Sequence, residues 1–571
     1  MEIRIGLSCI ARLPISYARF SSDKAPPLGR FFLPASGVRV WYSSRISMEY
    51  AHQKVRDAVR RALEDEGMRA DISPTIEHSP AYQTGDFATN ASLIFAKEVG
   101  IRPDALAEKI AARISKDKKL FSDVSVAGRG FINMKLSDEA VGTFLRQTAR
   151  TLGKGFSMRH GNINLEFISA NPTGNLHLGH GRGAFYGDAL ARVLSYAGMR
   201  VAREYYINDS RESKQIVELG KTALGKGEQY MTPELKEKID AIDFFGKSES
   251  EAGFLLASDI QKYNQQFIEA ELGIPFDIWY SEDINLRGSG VVRTLFDVFQ
   301  EKGFVYEKDG AWWMKTSEYG DDEDRVVKRS DGTWSYFMAD IAYHADKIGR
   351  GYDALLDIWG ADHHGHVKRM LAVKDMLSWD IEFRIFITQL VTLKEGGETK
   401  KMSKRAGTAV LLEDMVREVG VDALRWFYLE KSLSTHMEFD VALAKKQSAE
   451  NPVYYVQYAH ARAAGISENI GALPHDNTTI EDIIKVPAGR ALAMKVLEFP
   501  EVVESISGNY FVHQLTTYAY ELAAEFNQFY RDVRVIDEAE YRAGAAELVR
   551  TTKNTLAQTL ALMGISAPEK M

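Results

Sequence analysis

Asn162-Ile-Asn-Leu-Glu166-Phe-Ile-Ser169-Ala-Asn171-Pro-Thr-Gly174-Asn-Leu-His177-Leu-Gly-His180 is the segment from which the architecture of this chain can be read. Residues 162–168 alternate apolar and polar side chains, the period-two pattern of a strand. Pro172 and Gly174 then break the run into a loop. From His177 the spacing of Leu178, Phe185, Leu190, Val193 and Leu194 predicts a helix to about Gly198, and Val201 to Ile207 alternates as a strand again. Strand, glycine-bearing turn, helix and strand make a βαβ unit, the seed of a Rossmann-like doubly wound parallel sheet in an α/β protein.

The same sheet gains further pieces downstream: strand Leu355–Trp359, helix His366–Leu377 and strand Arg384–Leu393. A mainly helical insertion is expected at about 221–310, so the sheet domain covers 151–411. Upstream, residues 48–150 read as a small α+β domain. Its first helix carries Val55, Val59 and Leu63 and stops at Gly67; a second has its apolar face at Leu93, Ile94 and Ala96. Pro103-Asp104 opens a third, with Leu106, Ala107 and Ile110 on one side, and Val124 to Leu136 forms a strand pair around Gly128-Arg-Gly130. After residue 411 the signal is helical, as in Leu515, Tyr518, Leu522 and Phe526, so 412–571 is expected to be an all-α helical bundle.

A chain of 571 residues holds three or four domains, and 45% hydrophobic with 26% charged residues is a soluble globular composition. No run approaches 18 apolar residues, so no membrane-spanning helix is expected. The net charge of −8 argues against indiscriminate coating of nucleic acid but allows a local basic surface for one RNA. The single cysteine, Cys9, excludes intrachain disulfides and a cysteine-built zinc site, and fits a reducing, cytoplasmic setting. Residues 1–47 carry seven basic and two acidic side chains and precede a second methionine, Met48. Such an acid-poor segment suits a targeting leader, but it lacks amphipathic periodicity and is taken as an unstructured or non-native extension.

His177 and His180 stand at the start of the predicted helix, where unpaired backbone N–H groups favour anions. Gly179 between them lets a flat ligand approach the backbone. Alone, a pair of this spacing is more often surface or core residues, with a metal site as a third possibility. Lys400-Lys-Met-Ser-Lys-Arg405 lies beyond the last expected sheet strand. As an isolated run it would be a solvated loop; at the mouth of an α/β sheet its lysines can meet charge on a departing pyrophosphate.

With these two motifs the chain resembles the class I aminoacyl-tRNA synthetases, whose signatures are His-Ile-Gly-His and Lys-Met-Ser-Lys-Ser. Here Leu178 replaces the isoleucine and Arg405 the final serine. Flanking segments are similar to the arginine-specific, bacterial members: Glu166 to Gly174, Arg203-Glu-Tyr-Tyr-Ile-Asn-Asp209, Asp322 to Gly332, Tyr336 to His344, Trp359-Gly-Ala-Asp-His-His-Gly-His366, Asp422-Ala-Leu-Arg425 and Asn451 to Arg462. The likeness spans Met48 to Met571; Ser210-Arg-Glu-Ser213 departs from it where a glycine-bearing step is expected.

The resemblance implies ATP-dependent activation of L-arginine and its transfer to the 3′-terminal adenosine of tRNA(Arg), with Mg²⁺ carried on the triphosphate. It implies ATP contacts from His177, Gly179, His180, Asp362, His363, Lys401, Met402, Ser403 and Lys404. His177, His180, Lys401 and Lys404 are the implied catalytic set. It puts Glu166, Tyr336, Asp340 and Asp362 toward the arginine side chain, and Ser169, Asn171 and His177 toward its α-amino and carboxylate groups. A guanidinium wants such carboxylates and an aromatic face. The plain alternatives are a core ion pair for Glu166 and a helix cap for Tyr336 and Asp340.

Asp362-His-His-Gly-His366 invites a zinc reading, which is set aside because the resemblance places it under the adenosine; no zinc is expected. The 48–150 domain resembles one that reads the tRNA elbow. The bundle resembles an anticodon-binding domain, with Tyr454, Tyr458 and Arg462 as stacking candidates or, equally, as bundle core. A monomer is expected. The rivals are a class I enzyme for lysine or glutamate, the latter disfavoured by acids at 166, 340 and 362, and a non-catalytic tRNA-binding relative.

Overall fold

The computed structural model describes residues 50–68, 74–79, 85–395, 398–400, 410–471, 473–537 and 540–571. The 1–47 extension lies outside the described residues.

Five parallel strands form the central sheet: β1 (Asn162–Glu166), β2 (Arg200–Ile207), β3 (Ile278–Ser281), β4 (Ala354–Trp359) and β5 (Glu382–Ile387). Their spatial order is β5-β4-β1-β2-β3, with every neighbouring pair parallel. The chain winds outward from β1 to β3, returns to β4 beside β1, and winds out the other way, which is the doubly wound arrangement. Helix α1 (His180–Tyr196) joins β1 to β2, and α2 (Tyr336–Gly349) leads into β4.

Four expectations are corrected. Strand β3 falls inside the stretch 221–310, so that segment is not wholly an insertion; four residues are too few to show a period. Its helix Glu249–Gln266 does pack with the preceding Lys214–Ala223 as a satellite with its own small core. The single strand read across 384–393 is two, Glu382–Ile387 and Val391–Glu395, in different sheets. The backbone turns between them, where Thr388 N–H donates to the Trp359 carbonyl and Gln389 N–H to that of Leu433. The C-terminal region is not all helix, because Met437–Asp440 pairs parallel with Val391–Glu395. Finally, helix Ala91–Val99 buries Ala91, Ser92, Phe95 and Ala96, while Leu93 and Ile94 face solvent.

Before the sheet, a four-stranded antiparallel sheet packs with three helices, burying Val55, Val59, Leu63, Leu106, Ala107 and Ile110 as their spacing predicts. After it, α3 (Val421–Leu429) and α4 (Pro452–Ile470) begin a helical bundle whose later helices bury Leu515, Tyr518, Leu522 and Phe526. Polar contacts join the first region to this bundle. The Arg490 guanidinium donates to both Asp86 oxygens (3.0 and 2.6 Å) and to Asp138 (2.8 Å). His78 lies 2.8 Å from Glu501 and 3.8 Å from Glu498. Among the described residues no helix is long and apolar enough to cross a membrane.

Burial opposes charge on His78, but its hydrogen bond to Glu501 and the charges of Glu501 and Glu498 outweigh burial and raise its pKa above the ordinary histidine value. A raised histidine pKa gives stability that is complete below about pH 6.5 and is lost as pH climbs through the folded value. His78→Gln should therefore lower the melting temperature more at pH 6 than at pH 8.5, read by thermal unfolding at both.

Candidate active site

Between β1 and β4 the sheet changes winding direction, and the C-terminal ends of such strands are where a doubly wound sheet has its binding crevice. β1 ends at Glu166, and the next turn is strained: Ile168 and Ser169 have φ of +70° and +39°, conformations costing of order 1–3 kcal/mol each for L residues. Local bonds hold them there. Ser169 Oγ donates to Glu166 Oε1 (2.8 Å) and accepts from the Tyr206 N–H (3.1 Å). The Ser169 carbonyl accepts from the Asn208 side-chain amide (3.2 Å), and the Ala170 N–H donates to the Tyr205 hydroxyl (3.1 Å). Asn171 follows, exposed in the crevice loop.

The helix expected from His177 starts at His180 instead. His177 forms an antiparallel bridge with Leu411, flanked by bonds from Leu178 N–H to the Val410 carbonyl and from Leu412 N–H to that of Leu176 (both 2.9 Å). A backbone committed to that pairing cannot enter the helix. The two imidazoles still meet, stacked with centroids 3.7 Å apart and planes 20° from parallel. Nδ1 of His177 accepts from the Gly179 N–H and Nδ1 of His180 from the His177 N–H, each at 3.1 Å. That leaves the ring proton on Nε2, a donor suited to phosphate oxygens. A Cβ at Gly179 would stand 3.0 Å from the His177 ring, so a side chain there would push the ring away.

Beneath Glu166 the parallel register brings three acids into one row: Asp357 of β4, Glu166 of β1 and Glu204 of β2 are direct neighbours. All three are buried. Helix α2 and the residue after it supply the cations. Lys347 Nζ lies 2.5 Å from Glu166 Oε2 and 2.9 Å from Asp357 Oδ1. Arg350 grips both Glu204 oxygens (2.7 and 2.9 Å), which also accept from Tyr343 (2.8 Å) and Asn164 (2.6 Å). His344 Nε2 is 2.8 Å from Asp357 Oδ2.

Burial works against charge at every member. At Asp357 the Lys347 and His344 partners outweigh it and hold the carboxyl below the usual range; at Glu204, Arg350 and Lys347 do the same. Glu166 goes the other way: burial dominates, Lys347 offsets only part of it, Asp357 adds to it, and the pKa is raised. Lys347 itself is held above the lysine range by Asp357, Glu166 and Glu204 despite burial.

The same helix presents Tyr336 and Asp340 nearer its N-terminus. Ser335 caps it by accepting from the Met338 N–H (3.1 Å). Tyr336 is 47% exposed and its hydroxyl shares a 3.1 Å hydrogen bond with Ser213 Oγ. Asp340 Oδ2 lies 2.8 Å from His366 Nε2. Buried Tyr206 connects these groups: burial raises its pKa, and the charges of Glu282, Asp340 and Glu166 raise it further against Arg287. Glu166 and Asp340 thus both act on Tyr206, and Tyr336 lies one turn before Asp340 on α2.

Asp362 and His363 occupy a turn after β4, with 84% and 56% of their side chains exposed, so Asp362 does not join the acidic row. Among the described residues no three His, Cys, Asp or Glu side chains gather as a metal site. Lys401, Met402, Ser403 and Lys404 lie outside the described residues. On α4, Tyr454 and Tyr458 stack (6.3 Å, 11°), and the Arg462 guanidinium sits 4.8 Å from the Tyr458 ring and 4.9 Å from that of Tyr530. Tyr458 and Tyr530 are exposed, so this is a surface platform and not bundle core.

Sequence reasoning missed Asp357, Glu204, Lys347, Arg350 and Glu282. The signal was one acid in each of three strands, with Lys347 and Arg350 following Asp340 at the far end of its helix.

Three family models match in sequence. They are Arginyl tRNA synthetase N terminal domain at residues 51–136, tRNA synthetases class I (R), catalytic domain at 258–445, and DALR anticodon binding domain at 456–571. An arginine–tRNA ligase from Geobacillus kaustophilus is 36% identical over 559 residues, covering 91% of this chain and 99% of the relative. The chain belongs to the arginine–tRNA ligase family. A second member, from Citrifermentans bemidjiense, is 39% identical over 565 residues, covering 91% and 100% of the two chains. The Thermus thermophilus arginyl-tRNA synthetase structure shares the fold, with a TM-score of 0.72 at 22% identity over 91% of this chain and 100% of that one.

Arg350→Met leaves Glu204 buried and short of its main cation. Breaking a buried pair typically costs 3–5 kcal/mol; because Arg350 is about a quarter exposed, roughly 3 kcal/mol is expected. A lower urea midpoint for this variant than for Lys368→Met, whose pair is exposed, checks it.

Proposed function

We propose that the chain is an arginine–tRNA ligase. An oxygen of the arginine carboxylate attacks the α-phosphorus of ATP, the bond to the β-phosphate oxygen breaks, and arginyl-adenylate and diphosphate form. The tRNA's terminal 2′-hydroxyl then takes the arginyl group, its proton leaves, and AMP is released. The carboxylate is already ionised at neutral pH, so the first step needs no general base; positioning and charge stabilisation carry it.

The observation supporting this reading most strongly is the acid-lined, aromatic neighbourhood at the end of β1. Glu166, Asp340 and Tyr336 would receive the guanidinium there, with Tyr206 between them. A glutamate side chain would be repelled from the same place. Ser169 and Asn171 would hold the α-amino and carboxylate groups, close to His177. His177 and His180 would donate Nε2–H groups to the triphosphate, with Gly179 leaving room for adenosine and Asp362 and His363 beside it. Lys401 and Lys404, flanking Met402 and Ser403, would close over the phosphates. ATP enters as its magnesium complex, the ion carried on the triphosphate. Tyr454, Tyr458 and Arg462 would stack on bases of tRNA(Arg), since a flat exposed aromatic pair with a guanidinium edge suits unpaired bases. The enzyme would act in the cytoplasm as a monomer, a setting that the lone Cys9 suits.

Incubation with bulk tRNA and each radiolabelled amino acid should attach arginine alone; attachment of lysine or glutamate would sink the assignment. Pyrophosphate exchange with and without tRNA will show whether activation waits for the second substrate. Lys404→Ala should slow activation by roughly 10²–10³-fold with the arginine KM little changed. Asp340→Asn should instead raise the arginine KM by about 10–100-fold, the cost of losing one charged hydrogen-bond partner, and spare that for ATP.

A further inference from the structure

Lys347 is too deep to touch a ligand: its side chain is fully buried, under the sheet row and against the Tyr343 ring (4.4 Å). It nevertheless makes the one cationic contact seen on Glu166 among the described residues, and Glu166 is the sole member of the row that reaches the crevice loop, through Ser169. We propose that Lys347 is a positioning residue for arginine: bridging Glu166 and Asp357 from below, it keeps the Glu166 carboxylate fixed and charged for the incoming guanidinium. This rests on the arginine reading above and deepens it.

The argument starts from where each Glu166 oxygen points. Oε2 takes the Lys347 ammonium and Oε1 takes the Ser169 hydroxyl, so the carboxylate plane is set from both sides. Each oxygen keeps further lone-pair capacity for a guanidinium N–H. The other charged or titratable neighbours are Asp357 on β4, Glu204 and Tyr206 on β2, and Tyr343 and His344 on α2. Of these only His344 is a base, and its ring is directed at Asp357. Arg350 is spent on Glu204. Without Lys347, a carboxylate already pushed up by burial and by Asp357 loses the partner that offsets them, is protonated more readily, and then stops attracting a cation. The placement is also economical in sequence: Tyr336, Asp340 and Lys347 are on one helix, so the groups proposed to face arginine and the group that steadies their partner move as one body.

The test uses the full-length enzyme and its tRNA, with arginine and ATP KM values measured between pH 6.5 and 9. Lys347→Met should raise the arginine KM at least about tenfold at pH 7, shift the ATP KM less than about twofold, and show an arginine KM that falls as pH rises. Lys347→Arg, which keeps a cation on the row, should restore the pH profile of the unaltered enzyme. In Glu166→Gln/Lys347→Met the amide needs no cation, so the arginine KM should match that of Glu166→Gln and lose the added pH dependence. A folded Lys347→Met enzyme with the parental arginine KM and pH profile overturns the proposal. If Lys347→Met does not fold, the double variant decides: an arginine KM more than about threefold above that of Glu166→Gln means Lys347 does not act through Glu166. Failure of the arginine reading itself is seen separately, as charging of the unaltered enzyme with another amino acid.

Discussion

Three carboxylates side by side in the middle of a parallel sheet would repel each other and pay heavily for desolvation. They are tolerable only because one helix brings an ammonium and a guanidinium onto them. That constraint fixes more than local chemistry. Lys347 and Arg350 reach the row only if α2 lies across β4, β1 and β2 at one height and one rotation. Once it does, Tyr336 and Asp340, nearer the N-terminus of the same helix, are fixed with it. Apolar packing alone tolerates sliding by a fraction of a turn; a bidentate guanidinium and a bridging ammonium do not. Electrostatics thus supplies the registration that hydrophobic burial lacks.

The crevice follows from topology. In a doubly wound sheet the strands on either side of the winding reversal send their loops apart, and here those loops carry Ser169, Asn171 and the histidine pair from β1, and Asp362 and His363 from β4. The strained turn at Ile168 and Ser169 is bonded on several sides, so its cost is met by the surroundings and its geometry does not drift. Gly179 permits the opposite, a close fold-back of an aromatic ring. Rigid backbone and a compact ring stack lie within one short loop.

Much of this was legible beforehand. The βαβ unit, the order of the three regions and the histidine pair followed from period, punctuation and spacing. What escaped was whatever depends on pairing between distant segments. Nothing local in Ile278–Ser281 or Met437–Asp440 says that four residues join a sheet, and nothing near His177 says that Leu411 holds it out of the helix. The acidic row was half visible: Glu166 was singled out, but Glu204 and Asp357 become its neighbours only through register. The plain alternative for Glu166, pairing with a core lysine, is also what the structure contains. The two roles are compatible, because one oxygen faces the ammonium and the other the loop. Leu93 and Ile94 show the reverse failure, an apolar pair that does not face the core.

The bridge between His177 and Leu411 has a mechanical meaning. Lys404 stands six residues before Val410, whose carbonyl is hydrogen-bonded to Leu178. Six residues span at most about 20 Å when extended. Val410 to Leu412 are held against the very loop that carries the imidazoles, although more than two hundred residues separate them along the chain. Covalent connectivity alone therefore keeps Lys404 within that reach of the loop that carries the histidines.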